Sequence, residues 1–117
     1  MITVDDILKY VKGRYNTVPE ELWQNPRHYI VLRKNESQKW YAFIGYVNGT
    51  KIGLNSDEEI LILNVKAEPD FINFILSEDG FYPAYHMDKK NWVSVALDGT
   101  VDDKKIFKMI DNSYDLT

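Results

Sequence analysis

Cysteine is absent from this 117-residue chain. That single absence excludes disulfide frameworks, zinc fingers, thiolate nucleophiles and thiol redox chemistry. Histidine is scarce, with only His28 and His86, so nucleophile–base pairs are few and any Ser–His arrangement must use one of these two. None of Ser37, Ser56, Ser77, Ser94 and Ser113 stands in a G-x-S-x-G elbow. Neither G-x-x-x-x-G-K-S/T nor G-x-G-x-x-G occurs, so no nucleotide cradle is encoded. No apolar run approaches the ~20 residues a membrane span needs. The opening MITVDDILKY has acids where a signal peptide needs positive charge, and it lacks a small-residue cleavage site. Repeats, linkers and low-complexity segments are also missing. These absences lead us to expect one soluble, cytoplasmic domain spanning residues 1–117, without enzymatic activity, cofactor, metal or membrane partner.

What is present is an ordinary globular composition, 44% hydrophobic and 27% charged, which argues against disorder. The net charge of −4 is unpromising for a protein that lives on phosphate backbones. Its distribution is uneven, however. Residues 1–56 hold eight Lys/Arg against five Asp/Glu, a balance of +3, and residues 57–117 hold six against thirteen, a balance of −7. Between residues 24 and 56, Arg27, Arg33, Lys34, Lys39 and Lys51 face Glu36 alone. Fields act over a Debye length of ~8 Å, so an acidic protein can still carry a basic surface there. Equally, such lysines can serve only to keep strand edges soluble.

Thr3 and Asp6 have capping-box spacing, and Val4, Ile7, Leu8, Val11 and Tyr15 form one apolar helical stripe, with an exit at Asn16–Thr17. Residues 17–28, TVPEELWQNPRH, contain two prolines and read as a loop with at most one helical turn over residues 20–23. Strands are predicted at 29–34 and 39–47, joined by a tip NESQ. The second is apolar at both parities, as a central strand covered on both faces should be. Its alternation places Trp40, Ala42, Ile44 and Tyr46 on one face, and Tyr41, Phe43 and Val47 on the other.

Asn48–Gly49 signals a tight hairpin that folds residues 50–54 back onto this strand. The loop NSDEE then leads to a strand at 60–67, with Leu61, Leu63, Val65 and Ala67 on one face and Ile60, Ile62, Asn64 and Lys66 on the other. A helix is predicted from Pro69 to Gly80, with Phe71, Ile72, Ile75 and Leu76 buried. An edge strand at 81–86, a turn MDKK and a strand at 91–97 follow. Thr100 and Asp103 then repeat the capping-box spacing before a helix buried through Ile106, Phe107, Ile110 and Tyr114. The order α-β-β-β-α-β-β-α predicts an α+β fold, a mostly antiparallel sheet packed by helices.

The densest chemistry lies in GFYPAYHMDKKNW at 80–92, where Phe81, Tyr82, Tyr85 and Trp92 interleave with His86, Lys89 and Lys90. Aromatics alternating with cations can stack bases and hold phosphates, and they can equally pack a sheet while the lysines solubilise a tip. His86 and Asp88 lack a third ligand for a metal, and beside a turn such a pair reads as capping. Asp57, Glu58 and Glu59 read as a solvated loop.

Lys39–Trp40 before a hydrophobic strand, LNVKAEP at 63–69, GFYPAYHMDKKNWVSVALDG at 80–99 and SYDLT at 113–117 together resemble the MmcQ/YjbR family across nearly the whole chain. The matching positions are Lys39, Trp40, Lys66, Pro69, Tyr85, His86, Lys89, Trp92, Ser113 and Tyr114. The resemblance implies an α+β fold like that of type III secretion chaperones, and a DNA-binding role in which β-hairpins act as paired wings. Ala67 stands where many relatives carry a cysteine.

Two readings of the motif stand side by side. In one, Tyr85, His86 and Trp92 lock the last hairpin against Tyr114 and the final helix. In the other, Lys39, Lys66, His86 and Lys89 converge on one anion site. We expect a binding protein whose tips at 34–39 and 86–91 meet DNA phosphates through Arg33, Lys34, Lys39, Lys89 and Lys90. This expectation requires those cations to share one face of the molecule, and it is lost for any that point to opposite faces. A protein-interaction module would instead show a large exposed apolar patch or an open sheet edge. A small-ligand binder or enzyme would show a closed pocket lined by His86 and Lys66.

Overall fold

The computed structural model describes every residue except Asn25 and Pro26, together with the side chains of all but these and their neighbours Gln24 and Arg27. The elements are α1 (Val4–Tyr15), β1 (Glu20–Gln24), β2 (Arg27–Arg33), β3 (Trp40–Asn48), a 3-10 turn (Gly49–Ile52), β4 (Glu59–Lys66), α2 (Pro69–Ile75), β5 (Phe81–Pro83), β6 (Trp92–Ala96) and α3 (Asp103–Leu116). Among the described residues the strands make one antiparallel sheet in the order β1-β2-β3-β4-β6-β5. This is the expected α+β fold, with an added strand at its N-terminal edge.

Alternation along the strands separates two apolar faces. Leu32, Ala42, Ile44, Leu63, Val65, Val93 and Val95 pack under Ile7 and Val11 of α1, Ile72 and Ile75 of α2, and Ile106, Met109 and Ile110 of α3. The other face is thinner. There Tyr29, Val31, Phe43, Val47 and Ile62 are covered by Ile52 and Leu54 of the 3-10 turn region and by Tyr82, Tyr85 and Met87. Both faces of β3 are therefore shielded from water, which explains its apolar character at both parities. The Cα radius of gyration, 13.3 Å, matches about 13 Å for one domain of this length.

Helix α1 begins as its sequence dictates. Thr3 and Asp6 exchange both capping-box hydrogen bonds, and Asn16 closes the helix in the left-handed region at φ 55°. Six other features depart from expectation. The first is the predicted loop at 17–28, where Glu20–Gln24 pairs with β2 as an edge strand; Pro19 falls outside that strand, while Pro26 lies outside the described residues. Second, residues 50–54 do not return along β3. The Asn48 side chain instead accepts from the backbone N–H of Thr50 and caps a 3-10 turn, so β3 pairs with β4.

Third, a register shift opposite Leu32 and Arg33 exchanges Trp40 and Tyr41. Tyr41 joins the helix-side core, Trp40 packs against the Phe43 side of the sheet, and Tyr46 is exposed. Fourth, α2 ends at Ile75 and leaves Phe71 exposed, because Ile72 and Ile75 alone carry its burial. Fifth, Thr100 does not cap α3. Its N–H is drawn to the Asp98 carboxylate at 3.0 Å, and the helix starts after Asp102. The strand predicted at 81–86 is likewise confined to 81–83, and residues 84–91 turn across the thinner face.

Candidate nucleic-acid interface

Antiparallel pairing brings the end of β2, the start of β3, the end of β4 and the start of β6 to one end of the sheet. The 34–39 tip and the 86–91 loop therefore share that end. The five tip cations do not share one face as the DNA-binding expectation requires: Lys34 meets Tyr114 on the helix side and Arg33 stands over Trp40 on the other. The tip is closed by the N–H of Lys34 donating to the Lys39 carbonyl (2.9 Å) and that of Gln38 donating to the Lys34 carbonyl (2.8 Å). Asn35 Nδ2 reaches the carbonyls of Tyr15 and Asn16, both at 3.3 Å, which ties the tip to the end of α1.

The second loop is organised by Asp88. Its carboxylate accepts from the N–H of Lys90 (3.0 Å) and from Asn91 Nδ2 (2.6 Å), while its carbonyl accepts from the N–H of Asn91 and of Trp92. These donors, the Lys90 N–H foremost, hold the Asp88 carboxyl below the ordinary carboxylate range. The pair His86–Asp88 is thus a turn device, with the acid occupied by its own loop. The Ala67 N–H donates to the Asn91 carbonyl at 3.0 Å and fixes the loop beside the end of β4.

The five tip cations divide into two groups. Arg33 and Lys34 are spent inside the molecule. Arg33 Nε lies 2.5 Å from Glu20 Oε2, its guanidinium donates to the Gln38 carbonyl (3.0 Å), and it stands over the Trp40 ring at 5.5 Å. Lys34 Nζ donates to the Tyr114 carbonyl near the end of α3 and lies 4.5 Å from the Tyr114 ring centre. Lys39, Lys89 and Lys90 project into solvent. Lys66 stands close enough to Lys39 to sense its charge. Burial first, and Lys39 second, pull the Lys66 ammonium below the ordinary lysine range, and it sits over the Trp92 ring at 5.5 Å.

The motif residues fall on both faces of the sheet, so the expected lock between Tyr85, His86, Trp92 and Tyr114 does not form. Tyr114 lies on the helix side, stacked on Tyr15 at 3.7 Å and edge-on to Tyr41 at 5.1 Å. Ser113 Oγ donates to the Tyr41 carbonyl (2.6 Å) and accepts from the Lys66 N–H (2.8 Å), bridging α3 to β3 and β4. Pro69 opens α2. Tyr85 and His86 lie against the opposite face, their rings 4.0 Å apart, with His86 exposed at φ 56°.

The lock on that face is made by two residues that lie within the motif stretches but not among the matching positions. Asn64 Nδ2 donates to the Tyr85 carbonyl (2.8 Å), Ser94 Oγ donates to Asn64 Oδ1, and the Tyr85 N–H donates to Ser94 Oγ (3.2 Å). Asn64 and Ser94 are fully buried cross-strand partners. The signal for them is a pair of polar residues at inward positions of two apolar strands.

An open groove of about 590 Å³ runs between α2 and α3, lined by Lys66 but not by His86. The closed His86–Lys66 pocket is therefore not formed; an exposed His86 on the far face cannot line a groove between helices.

The chain matches the YjbR family model over residues 13–116. It belongs to the YjbR family. YyaQ of Bacillus subtilis strain 168, an uncharacterised protein, is 38% identical over 117 residues, which is all of this chain and 99% of YyaQ. A crystal structure of a Pseudomonas syringae protein is 32% identical with a TM-score of 0.90, covering 99% of both chains. A Deinococcus radiodurans crystal structure carrying a DUF419 domain is 25% identical with a TM-score of 0.64, covering 99% of this chain and 78% of that one. These solved structures share the helix-backed antiparallel sheet described above.

Proposed function

We propose that this YjbR protein is a non-enzymatic, cytoplasmic binding protein that engages the phosphate backbone of DNA with the lysine-bearing end of its sheet. The observation that carries this reading is that Lys39, Lys66, Lys89 and Lys90, drawn from three separate stretches of chain, meet at one end of one sheet. Asp57 and Glu58 before β4, Asp79 before β5 and Asp98 after β6 stand at the opposite end, while Glu36, Glu68 and Asp88 share the lysine-bearing end. A net charge of −4 is thereby compatible with a locally basic surface, since exposed charges beyond a Debye length are screened from one another. Arg33 and Lys34 become supports of the tip rather than phosphate contacts. Asp88 and the Asn64–Ser94 pair hold the second loop in place.

The rival, a protein-interaction module that pairs its sheet edge with a peptide, has weaker support. β5 is three residues long and includes Pro83, and β1 has its Glu20 engaged by Arg33.

The test is fluorescence anisotropy with labelled duplex and single-stranded DNA between about 20 and 200 mM salt, a range over which phosphate contacts weaken strongly. Each lost contact should reduce the salt slope by about 0.9 on duplex DNA. The variant Lys39→Ala/Lys89→Ala/Lys90→Ala should therefore flatten it by more than about two. Absence of binding at the lowest salt, or a slope unmoved by the triple variant, overturns the reading.

A further inference from the structure

A second basic surface adjoins the sheet end at Lys66 and extends into the groove between α2 and α3. Its apolar lining comes from Ala67, Phe71 and Met109, of which Ala67 and Met109 are buried while Phe71 is 38% exposed. Phe71 is left open because α2 turns its Ile72 and Ile75 into the core and ends after 7 residues, against 14 in α3. The α3 wall is cationic. Lys104 and Lys108 stand four residues apart, hence on one side of the helix, and neither has a carboxylate partner among the described residues. Lys105 also lines the groove, but its ammonium is held by Glu78 at 2.9 Å and lies over Phe81. Glu68 is the one carboxylate in the lining.

We propose that this groove binds an organic anion with an apolar body, which nothing in the DNA-binding reading requires. The volume of about 590 Å³ falls within the ~300–1,000 Å³ typical of small-molecule sites, which have apolar walls and a few convergent polar groups. The apolar body rests on Phe71, Ala67 and Met109. The acidic head group, a carboxylate, phosphate or sulfonate, meets the Lys104 and Lys108 ammonium groups, which have no internal claim on their charge. A cationic amphiphile would face four lysines and one glutamate and is excluded by charge. A short hydrophilic anion would leave the apolar lining wet and gains little.

The experiment is calorimetric titration of the intact protein with decanoate, decyltrimethylammonium and acetate, alongside amide ¹H–¹⁵N shift mapping. Decanoate should bind measurably, decyltrimethylammonium and acetate at least tenfold more weakly, and the shifts should centre on residues 66–71 and 104–112. The variant Lys104→Glu/Lys108→Glu should weaken decanoate at least tenfold with an unchanged melting temperature, and Phe71→Ser should weaken it without altering the head-group preference. Equal binding of the cationic amphiphile, decanoate binding unmoved by the double variant, shifts centred elsewhere, or no decanoate binding overturns the proposal. Lys39→Ala/Lys89→Ala/Lys90→Ala, which tests the DNA surface, should leave decanoate binding unchanged, so the two readings fail separately.

Discussion

Asn64 shows how one buried amide can organise a surface loop. Both of its polar ends are spent, one on the Tyr85 carbonyl and one on Ser94, in a position with no access to water. Removing it strands two groups, and a buried unsatisfied polar group costs about 1–3 kcal/mol. Asn64→Ala should lower unfolding free energy by about that amount in urea denaturation, and amide exchange should accelerate in residues 84–91. A wild-type urea midpoint in the variant would show that water replaces the amide.

The tyrosines offer a second residue-scale test. Burial pushes Tyr41 up to about 12, and burial together with hydrogen bonds to Asp111 raises Tyr10 and Tyr15 above the ordinary value of 10. A raised folded-state pKa contributes stability that is complete below the unfolded value and is lost as pH climbs through the folded one. Stability should hold to about pH 10 and decline above it, with delayed tyrosinate absorbance; an unchanged urea midpoint between about pH 9 and 11.5 would refute this assignment.

At the scale of elements, β3 depends on what stands opposite it. Gly45 faces Tyr29 across the β2–β3 pair, and a Cβ added there would lie 2.2 Å from Tyr29 Cδ1. The tyrosine ring occupies the space a side chain would need. Gly45→Ala should destabilise the fold by about 1–3 kcal/mol through overpacking. In combination with Tyr29→Ala the two losses should be less than additive, as expected for groups in contact; strict additivity in thermal unfolding would sever the link.

The same cross-element dependence limits how much of this structure can be read from the chain alone. α1, the two-faced β3 and the alternation of β4 are legible because local capping and periodicity agree with the final packing. β1 is not legible, since its only strand partner among the described residues is β2 and its sequence carries no strong alternation. Asn48–Gly49 is a turn signal in either outcome; which turn forms depends on where β4 finds its register. Trp40 and Tyr41 exchange faces through a bulge that local spacing cannot specify. At the site, the sharing of one end by the two loops follows from strand order, whereas the withdrawal of Arg33 and Lys34 depends on Glu20 and Tyr114, which lie elsewhere in the chain.

The molecule as a whole is electrically lopsided. Helix α1 starts with Asp5 and Asp6 and ends with Lys12 and Arg14, the polarity its macrodipole favours, with Arg14 paired to Asp111 at 3.0 Å. A protein of net charge −4 should accordingly be retained on immobilised heparin at low salt and be released as salt rises. The Lys39→Ala/Lys89→Ala/Lys90→Ala variant should pass through unretained. Equal retention of both forms would assign the attraction to another surface, and flow-through of the wild type would remove it altogether.

The short outer strands carry a consequence for behaviour in concentrated solution. A chain arriving to extend the sheet by a further strand finds three residues on the β5 side, one of them a proline without an N–H. On the β1 side it meets Glu20, already paired with Arg33, and Glu21, which lies 3.3 Å from His28 Nε2. Fibril growth by edge recruitment is disfavoured for the native fold, so aggregation of this protein should begin from opened molecules, and its rate should rise with the concentration of unfolded chains, which is the unfolded fraction multiplied by the total protein.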